Sequence, residues 1–116
     1  MSDHEPSLDR VFHALSDPTR RRLVERLVRS PASVSQLAEP FDMSLTAVMQ
    51  HLQVLIDVGL VASEKSGRVR TCRIEPATVR QAETWLTQQR TDWEHRLGRL
   101  DQLVTDPAPD RSGNRT

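Results

Sequence analysis

The chain has 116 residues, of which 28% are charged and only 3% are aromatic. This length favours one domain with a modest core, and the shortage of aromatic side chains indicates packed helices built from Leu, Val and Ala. The formal net charge is zero, which excludes a strongly basic or acidic protein, although residues 18–73 carry nine Lys or Arg against five acidic residues.

A few local features indicate the compartment and the domain limits. Cys72 is the only cysteine, so no intrachain disulfide can form and a reducing compartment is expected. No apolar run is long enough to cross a membrane, and the acidic N-terminal segment is unlike a signal peptide. We therefore expect a cytoplasmic protein with one domain at residues 7–104. Residues 1–6 and 105–116 are predicted to be flexible tails, because they are rich in Pro, Gly, Ser and charge.

Two helices are predicted before Pro31. The first spans about two turns and has an apolar face made of Leu8, Val11, Phe12 and Leu15. Asp17 can cap the second helix, and Pro18 suits its first position. This helix is expected over residues 19–29. Its predicted buried residues are Leu23, Val24, Leu27 and Val28.

A pair of amphipathic helices joined by a turn follows at residues 33–58. Ser33 and Gln36 form a capping-box pattern that opens the third helix, and residues 40–43 form the turn. Ser44 is a suitable cap for a fourth helix over residues 45–58, which Gly59 ends in a left-handed conformation. The residues predicted to be buried on the fourth helix are Leu45, Val48, Met49, Leu52, Leu55 and Ile56.

Two strands and one long helix complete the predicted elements. Residues 60–65 and 68–74 are predicted to be hairpin strands around Ser66 and Gly67. The last helix begins at Glu75 and Pro76 and runs to about Val104, with large residues recurring at steps of three and four. Such a stripe is more than a small domain can easily cover, which favours a dimer. The stripe consists of Val79, Ala82, Leu86, Gln89, Trp93, Leu97, Leu100 and Val104.

The outer face of the fourth helix is predicted to be polar. Burial of its apolar stripe turns Thr46, Ala47, Gln50 and Gln53 outward and leaves His51 at the margin. Gln can pair with adenine through two hydrogen bonds, and Ala or Thr can contact the methyl group of thymine. A merely solvated face has the same composition. The order of capped helix, turn, helix and hairpin nevertheless favours a winged helix-turn-helix that reads DNA.

Lys65, Arg68 and Arg70 cluster at the tip of the predicted hairpin. We expect them to contact the phosphate backbone or the minor groove beside the fourth helix, which would make binding salt-dependent. The alternative is a charged turn that keeps an edge strand soluble.

Three segments resemble the ArsR family of bacterial and archaeal winged-helix repressors: DPTRRRLVERL, SVSQLAEPFDMSLTAVMQHLQVLIDVGLV and GRVRTCRIEP. The resemblance spans residues 8–104 and implies a homodimer that pairs through its first and last helices and binds an imperfect palindrome. It implies DNA contacts from Ser44, Thr46, Ala47, Gln50 and His51 on the fourth helix, and from Arg68 and Arg70 on the wing. The implied dimer interface comprises Leu8, Val11, Phe12, Leu86, Gln89, Trp93, Leu97 and Leu100. In one departure, Met49 stands where the family often has Ser or Thr.

The metal-binding positions of metal-sensing family members are not matched here. The third helix has no cysteine, and the last helix offers only Asp92 and His95, without a second histidine further along. The expected role of these two residues is a surface ion pair or a contact within the helix turn, and Cys72 is expected to pack within a strand. The chain is therefore similar to the metal-independent subgroup. No metal and no cofactor are predicted, and the sequence does not identify an inducer.

These observations predict a mainly α fold with a small β-hairpin, namely a winged helix-turn-helix with five helices and a two-stranded wing. The expected function is that of a homodimeric, sequence-specific repressor bound to a palindromic operator. Two alternatives remain, a metal-responsive repressor with a degenerate site and a winged-helix protein-interaction module without DNA binding. An enzyme is not expected, since the sequence contains no catalytic triad pattern and no glycine-rich phosphate loop.

Overall fold

Five helices and three strands make up the described part of the chain, which in the computed structural model comprises residues 7–103, with side chains for residues 7–99. In chain order they are α1 (Leu8–Ala14), α2 (Pro18–Arg29), β1 (Ala32–Ser33), α3 (Val34–Ala38), α4 (Leu45–Asp57), β2 (Val61–Ser66), β3 (Val69–Ile74) and α5 (Pro76–Leu103). The predicted mainly helical winged helix-turn-helix is confirmed. Both predicted tails and Val104 lie outside the described residues. None of the described helices is long and apolar enough to span a membrane.

Local capping explains where the helices begin and end. The Asp17 carboxylate accepts a hydrogen bond from the backbone N–H of Arg20 at 3.0 Å and so caps α2. Ser33 and Gln36 form the predicted capping box at the start of α3, with N···O distances of 3.1 and 2.9 Å. Gly59 follows α4 with a φ of 83°, which a residue without a Cβ adopts at little cost. These boundaries were predictable because each depends on a few adjacent residues.

The sheet contains one strand more than the predicted two-stranded wing. β2 and β3 form the expected antiparallel hairpin, with Val61 opposite Ile74 and Ser66 opposite Val69. β1 adds to the other edge of β3 by pairing Ala32 with Cys72, which gives the strand order β1-β3-β2. A strand of two residues is too short to show an alternating pattern in the sequence. Its effect is to tie the start of α3 to the base of the wing.

The core belongs to the first of two compact units, Met1–Ala82 and Glu83–Thr116, into which the chain divides within α5. Its buried members are aliphatic apart from one cysteine, as the low aromatic content predicted. Burial of one such Leu or Val side chain contributes about 1.5–3 kcal/mol. The buried core consists of Val11, Ala14, Leu23, Leu27, Ala32, Leu37, Val48, Leu52, Leu55, Val58, Leu60, Val61 and Cys72.

Three apolar residues that were predicted to be buried are exposed. Leu45 and Met49 keep 52% and 41% of their surface accessible, and Val28 near the end of α2 is also exposed. On α4 the buried residues are Val48, Leu52 and Leu55, whereas Leu45 and Met49 line an open groove instead of the core. The helical periodicity was right, but periodicity does not show which part of a stripe is covered by other elements.

Candidate nucleic-acid interface

The first turn of α4 is fixed by its cap. Ser44 Oγ accepts a hydrogen bond from the backbone N–H of Ala47 at 3.1 Å, which satisfies one of the unpaired donors at this helix end. The hydroxyl hydrogen of Ser44 remains available as a donor. Because Ser44 is itself exposed, it can donate to a phosphate oxygen while it caps the helix.

The predicted reading face of α4 is exposed to solvent. Its exposed residues are Thr46, Gln50 and Gln53, and Ala47 is half-buried. Gln53 Nε2 donates to Asp57 Oδ1 at 2.8 Å, so this amide is already engaged within the helix. Within the described residues no hydrogen bond engages the side chain of Gln50, which leaves its amide free for a base edge.

The tip of the β2–β3 hairpin is basic, as predicted. Lys65 lies directly opposite Arg70 in the ladder, and Arg68 follows the turn residue Gly67, whose φ is 66°. Arg70 Nη1 donates to Ser63 Oγ at 2.8 Å, which holds its guanidinium along the strand. All three cationic side chains are exposed, so they can approach a polyanion without prior rearrangement.

His51 occupies a different environment from the other predicted DNA-contacting residues. Its Nδ1 lies 3.2 Å from Arg20 Nη1 and 3.8 Å from Asp17 Oδ2, and its side chain is 25% exposed. Arg20 Nε in turn donates to the carbonyl of Ala14 at 2.6 Å. The imidazole therefore joins α4 to the start of α2 and the end of α1. The sequence contained these residues but gave no signal that they meet, since His51 and Arg20 are 31 positions apart.

The Asp17 carboxyl in this network has a lowered pKa. The main cause is the hydrogen bond from the backbone N–H of Arg20; burial opposes it, and the nearby His51 and Arg20 side chains lower the pKa further. A carboxyl whose pKa is lower in the folded state stabilises the fold above its unfolded-state pKa. That contribution is lost as the pH falls through the folded-state pKa.

Replacing Asp17 by Ala should lower the free energy of unfolding by about 1 kcal/mol at neutral pH, because α2 loses its cap. The difference in unfolding free energy between the variant and the parent protein should shrink in acid, where the Asp17 carboxyl is protonated in both the folded and the unfolded state. Urea denaturation at several pH values measures both effects. Asp17→Asn is the matched control, because it keeps a capping oxygen and removes the charge. A loss in Asp17→Ala that stays constant down to pH 2 would contradict a role for the ionised carboxyl.

The part of α5 that belongs to the second unit carries an exposed apolar stripe. Leu86, Trp93 and Leu97 of the predicted dimer seam are exposed, with Trp93 at 59%, and Gln89 is exposed on the same stripe. Trp85 is exposed as well and was not among the predicted interface residues. The side chain of Leu100 lies outside the described residues.

The predicted interface residues of α1 have unequal burial. Leu8 and Phe12 are half-buried, whereas Val11 is only 1% exposed and belongs to the core. The helix turns Val11 and Ala14 inward together because they are three residues apart. Val11 therefore packs within the core of its own chain, and we leave it out of the proposed interface between two copies.

The residues considered for metal or redox chemistry have ordinary structural surroundings. Cys72 is fully buried at the centre of the sheet, and this burial raises the pKa of its thiol, partly offset by Arg70. Asp92 Oδ1 accepts a hydrogen bond from Gln88 Nε2 at 3.3 Å, one turn earlier on α5. Among the described side chains, no group of three or more His, Cys, Asp or Glu is placed to hold a metal ion.

Comparison with known proteins agrees with this geometry. A helix-turn-helix domain model matches residues 15–64. The HTH-type transcriptional regulator Rv2034 of Mycobacterium tuberculosis is 37% identical over 108 residues, which cover 90% of this chain and 94% of that protein. The transcriptional repressor SdpR of Bacillus subtilis is 24% identical over 79 residues, covering 68% of this chain and 88% of that protein.

Solved structures give the same result. The crystal structure of RHA00566, an ArsR family transcriptional regulator, is 49% identical and has a TM-score of 0.70, covering 75% of this chain and 90% of that chain. The homodimeric winged helix-turn-helix DNA-binding domain Mb0332 from Mycobacterium bovis, a possible ArsR-family regulator, is 26% identical with a TM-score of 0.59. That match covers 75% of this chain and 82% of the Mycobacterium bovis chain.

Proposed function

Because the chain belongs to the ArsR family of winged helix-turn-helix transcriptional regulators, we propose that it acts as a homodimeric repressor bound to a palindromic operator in the cytoplasm. Membership in this family makes it a DNA-binding transcriptional regulator and not an enzyme. The oligomer, the symmetry of the operator and the individual contact residues are the proposed parts.

The observation that carries the proposal is the division of the surface into an uncharged helix face and a cationic wing. The exposed face of α4 offers Thr46 and Gln50, whose groups match base edges, while the wing supplies three exposed cations for phosphate. Affinity and sequence choice would thus come from different elements. The DNA-contacting residues in this proposal are Ser44, Thr46, Ala47, Gln50, Gln53, Lys65, Arg68 and Arg70.

His51 enters the proposal as a positioning residue. Its contacts with Asp17 and Arg20 lie on the side of α4 that packs toward α2, and its side chain is mostly covered. Such an anchor fixes the angle at which α4 would lie in the major groove. A direct contact from His51 to a base is therefore not part of the proposal.

Dimerisation is supported by the exposed stripe of α5 and by the homodimeric relative from Mycobacterium bovis. Exposed Trp and Leu side chains in one stripe are costly in water, and a second copy of the helix can cover them. A two-fold dimer presents two copies of α4, so its operator would have two related half-sites.

We also place the chain in the metal-independent subgroup. Asp92 is engaged with Gln88, and α3 carries no cysteine, so neither position known from metal-sensing members offers a ligand set. The inducer would then be a different chemical signal. Release of operator DNA at near-stoichiometric zinc would contradict this assignment.

Gln50→Ala and Arg68→Ala should weaken DNA binding in different ways. Gln50→Ala should reduce discrimination between the operator and a mutated operator by about 1–3 kcal/mol, because an adenine contact is lost. Arg68→Ala should weaken all duplexes alike and reduce the salt dependence by about one phosphate contact. Fluorescence anisotropy with the upstream intergenic DNA and a random duplex, at several salt concentrations, measures both.

Arg99→Ala is the matched control, since Arg99 is an exposed arginine on α5 that is not part of the wing and lies on a different face of the helix from Trp93 and Leu97. It should leave affinity and salt dependence unchanged. Salt-insensitive binding, or no binding to either duplex, would refute the repressor and favour a protein-interaction module.

A further inference from the structure

An open groove of 430 Å³ lies between the start of α3, the first turns of α4 and the tip of the wing. We call it the wing groove. Its apolar lining comes from the half-buried Val34 and from Leu45, Met49 and Val69. Its charged lining comes from Lys65, Arg68 and Arg70. It is thus bordered by the same two elements that the proposed function assigns to base reading and phosphate binding.

The apolar side chains of the wing groove are unusually accessible. Leu45, Met49 and Val69 keep 52%, 41% and 51% of their surface exposed. Leu45 and Met49 are four residues apart on α4, so they lie above one another on the same helix face. Three large apolar groups gathered at one open site indicate a surface that is covered by a ligand.

The charges around the wing groove indicate what that ligand is. The lining includes three cations and no carboxylate. By contrast, the larger cavity between α2 and α3 is lined by three arginines and two glutamates, so its charges are largely balanced. The occupant of the wing groove must therefore be polyanionic and must also present a small apolar group. A second copy of this basic surface fails the first requirement.

We propose that Leu45 and Met49, supported by Val69, select thymine by contact with its 5-methyl group in the major groove. The proposal rests on the proposed function and deepens it. In the major groove only thymine among the four standard bases presents a methyl group, while the phosphates on either side meet the cations of the wing. Gln50, next to Met49 in the sequence, can pair with adenine. The two kinds of contact would together favour A·T pairs within each half-site.

Replacement of thymine by deoxyuridine tests this directly, because it removes only the methyl group. The operator is first obtained by selection of the full-length protein on random duplex DNA. Each thymine is then replaced in turn, and affinity is measured by anisotropy. At one or two positions in each half-site the affinity of the parent protein should fall about fourfold, which corresponds to one methyl group removed from an apolar contact.

The side chains responsible are identified by double-mutant cycles. Leu45→Ala or Met49→Ala should weaken binding to the thymine operator and abolish the deoxyuridine effect at the contacted position. Both residues are exposed, so the variants should fold normally. Val28→Ala is the matched control, since it also removes an exposed aliphatic side chain but does not line the groove; it should retain the full deoxyuridine effect.

The outcomes separate this inference from the proposed function. If no sequence is selected and no duplex is bound, both are refuted. If an operator is selected but deoxyuridine does not change the affinity of the parent protein, only the thymine contact is refuted. The same holds if deoxyuridine lowers the affinity of both alanine variants as much as that of the parent protein. If Leu45→Ala changes the oligomeric state and leaves the deoxyuridine effect intact, the groove is an interface between copies of the chain and the inference is overturned.

Discussion

Leu55→Ala should lower the free energy of unfolding by about 2–5 kcal/mol, because it leaves a cavity in the core. Leu55 is completely buried on α4, within the cluster that joins the helices to the sheet. A small domain has a total stability of about 5–15 kcal/mol, so this single change removes a large fraction of it. Urea denaturation followed by circular dichroism, at a fixed protein concentration, measures the loss.

Leu45→Ala is the matched control for Leu55→Ala. It makes the same chemical change on the same helix, but at a residue that is half exposed. Its effect on stability should stay near 0.5 kcal/mol or below, as expected for surface substitutions. An equal loss of unfolding free energy in the two variants would contradict the difference in burial between Leu45 and Leu55. It would instead support the fully buried stripe that periodicity alone predicted.

This pair of leucines also shows what the sequence could and could not predict. Leu45, Val48, Leu52 and Leu55 follow one helical stripe, and the helix itself was correctly predicted from that spacing. Whether a position on the stripe is covered depends on where α3 and the sheet end in space. That information lies in tertiary packing, which a local pattern does not contain.

The candidate site divides in the same way. The caps by Asp17, Ser33 and Ser44 and the left-handed Gly59 were predictable, because each involves residues within a few positions of one another. β1 and the contact between His51 and Arg20 were not, because both depend on segments far apart in the chain. The polar face of α4 and the basic wing were recognisable from residue type and order, whereas Leu45 and Met49, which line the groove between them, were assigned to the core.

Trp93→Ala should weaken dimerisation by about 2 kcal/mol or more, a factor of about 30, if α5 is the dimer helix. Trp93 is the most exposed aromatic residue of the described chain, and a tryptophan at the centre of an interface is a frequent site of large alanine effects. Affinity for the full operator should fall when dimerisation is weakened, because a monomer can occupy only one half-site. Sedimentation velocity measures the dimer, and anisotropy on the full operator and on an isolated half-site measures the consequence.

The control for Trp93→Ala is His95→Ala, which lies two residues further on and therefore about 200° around the helix from the seam. It should leave both the dimer and operator binding unchanged. Affinity for the isolated half-site should be the same in Trp93→Ala and in the parent protein, because α4 and the wing belong to the other unit of the chain. A Trp93→Ala protein that remains a dimer and binds the full operator normally would show that the stripe on α5 faces a different partner. A dimer that binds a palindromic operator would then have to form through another interface.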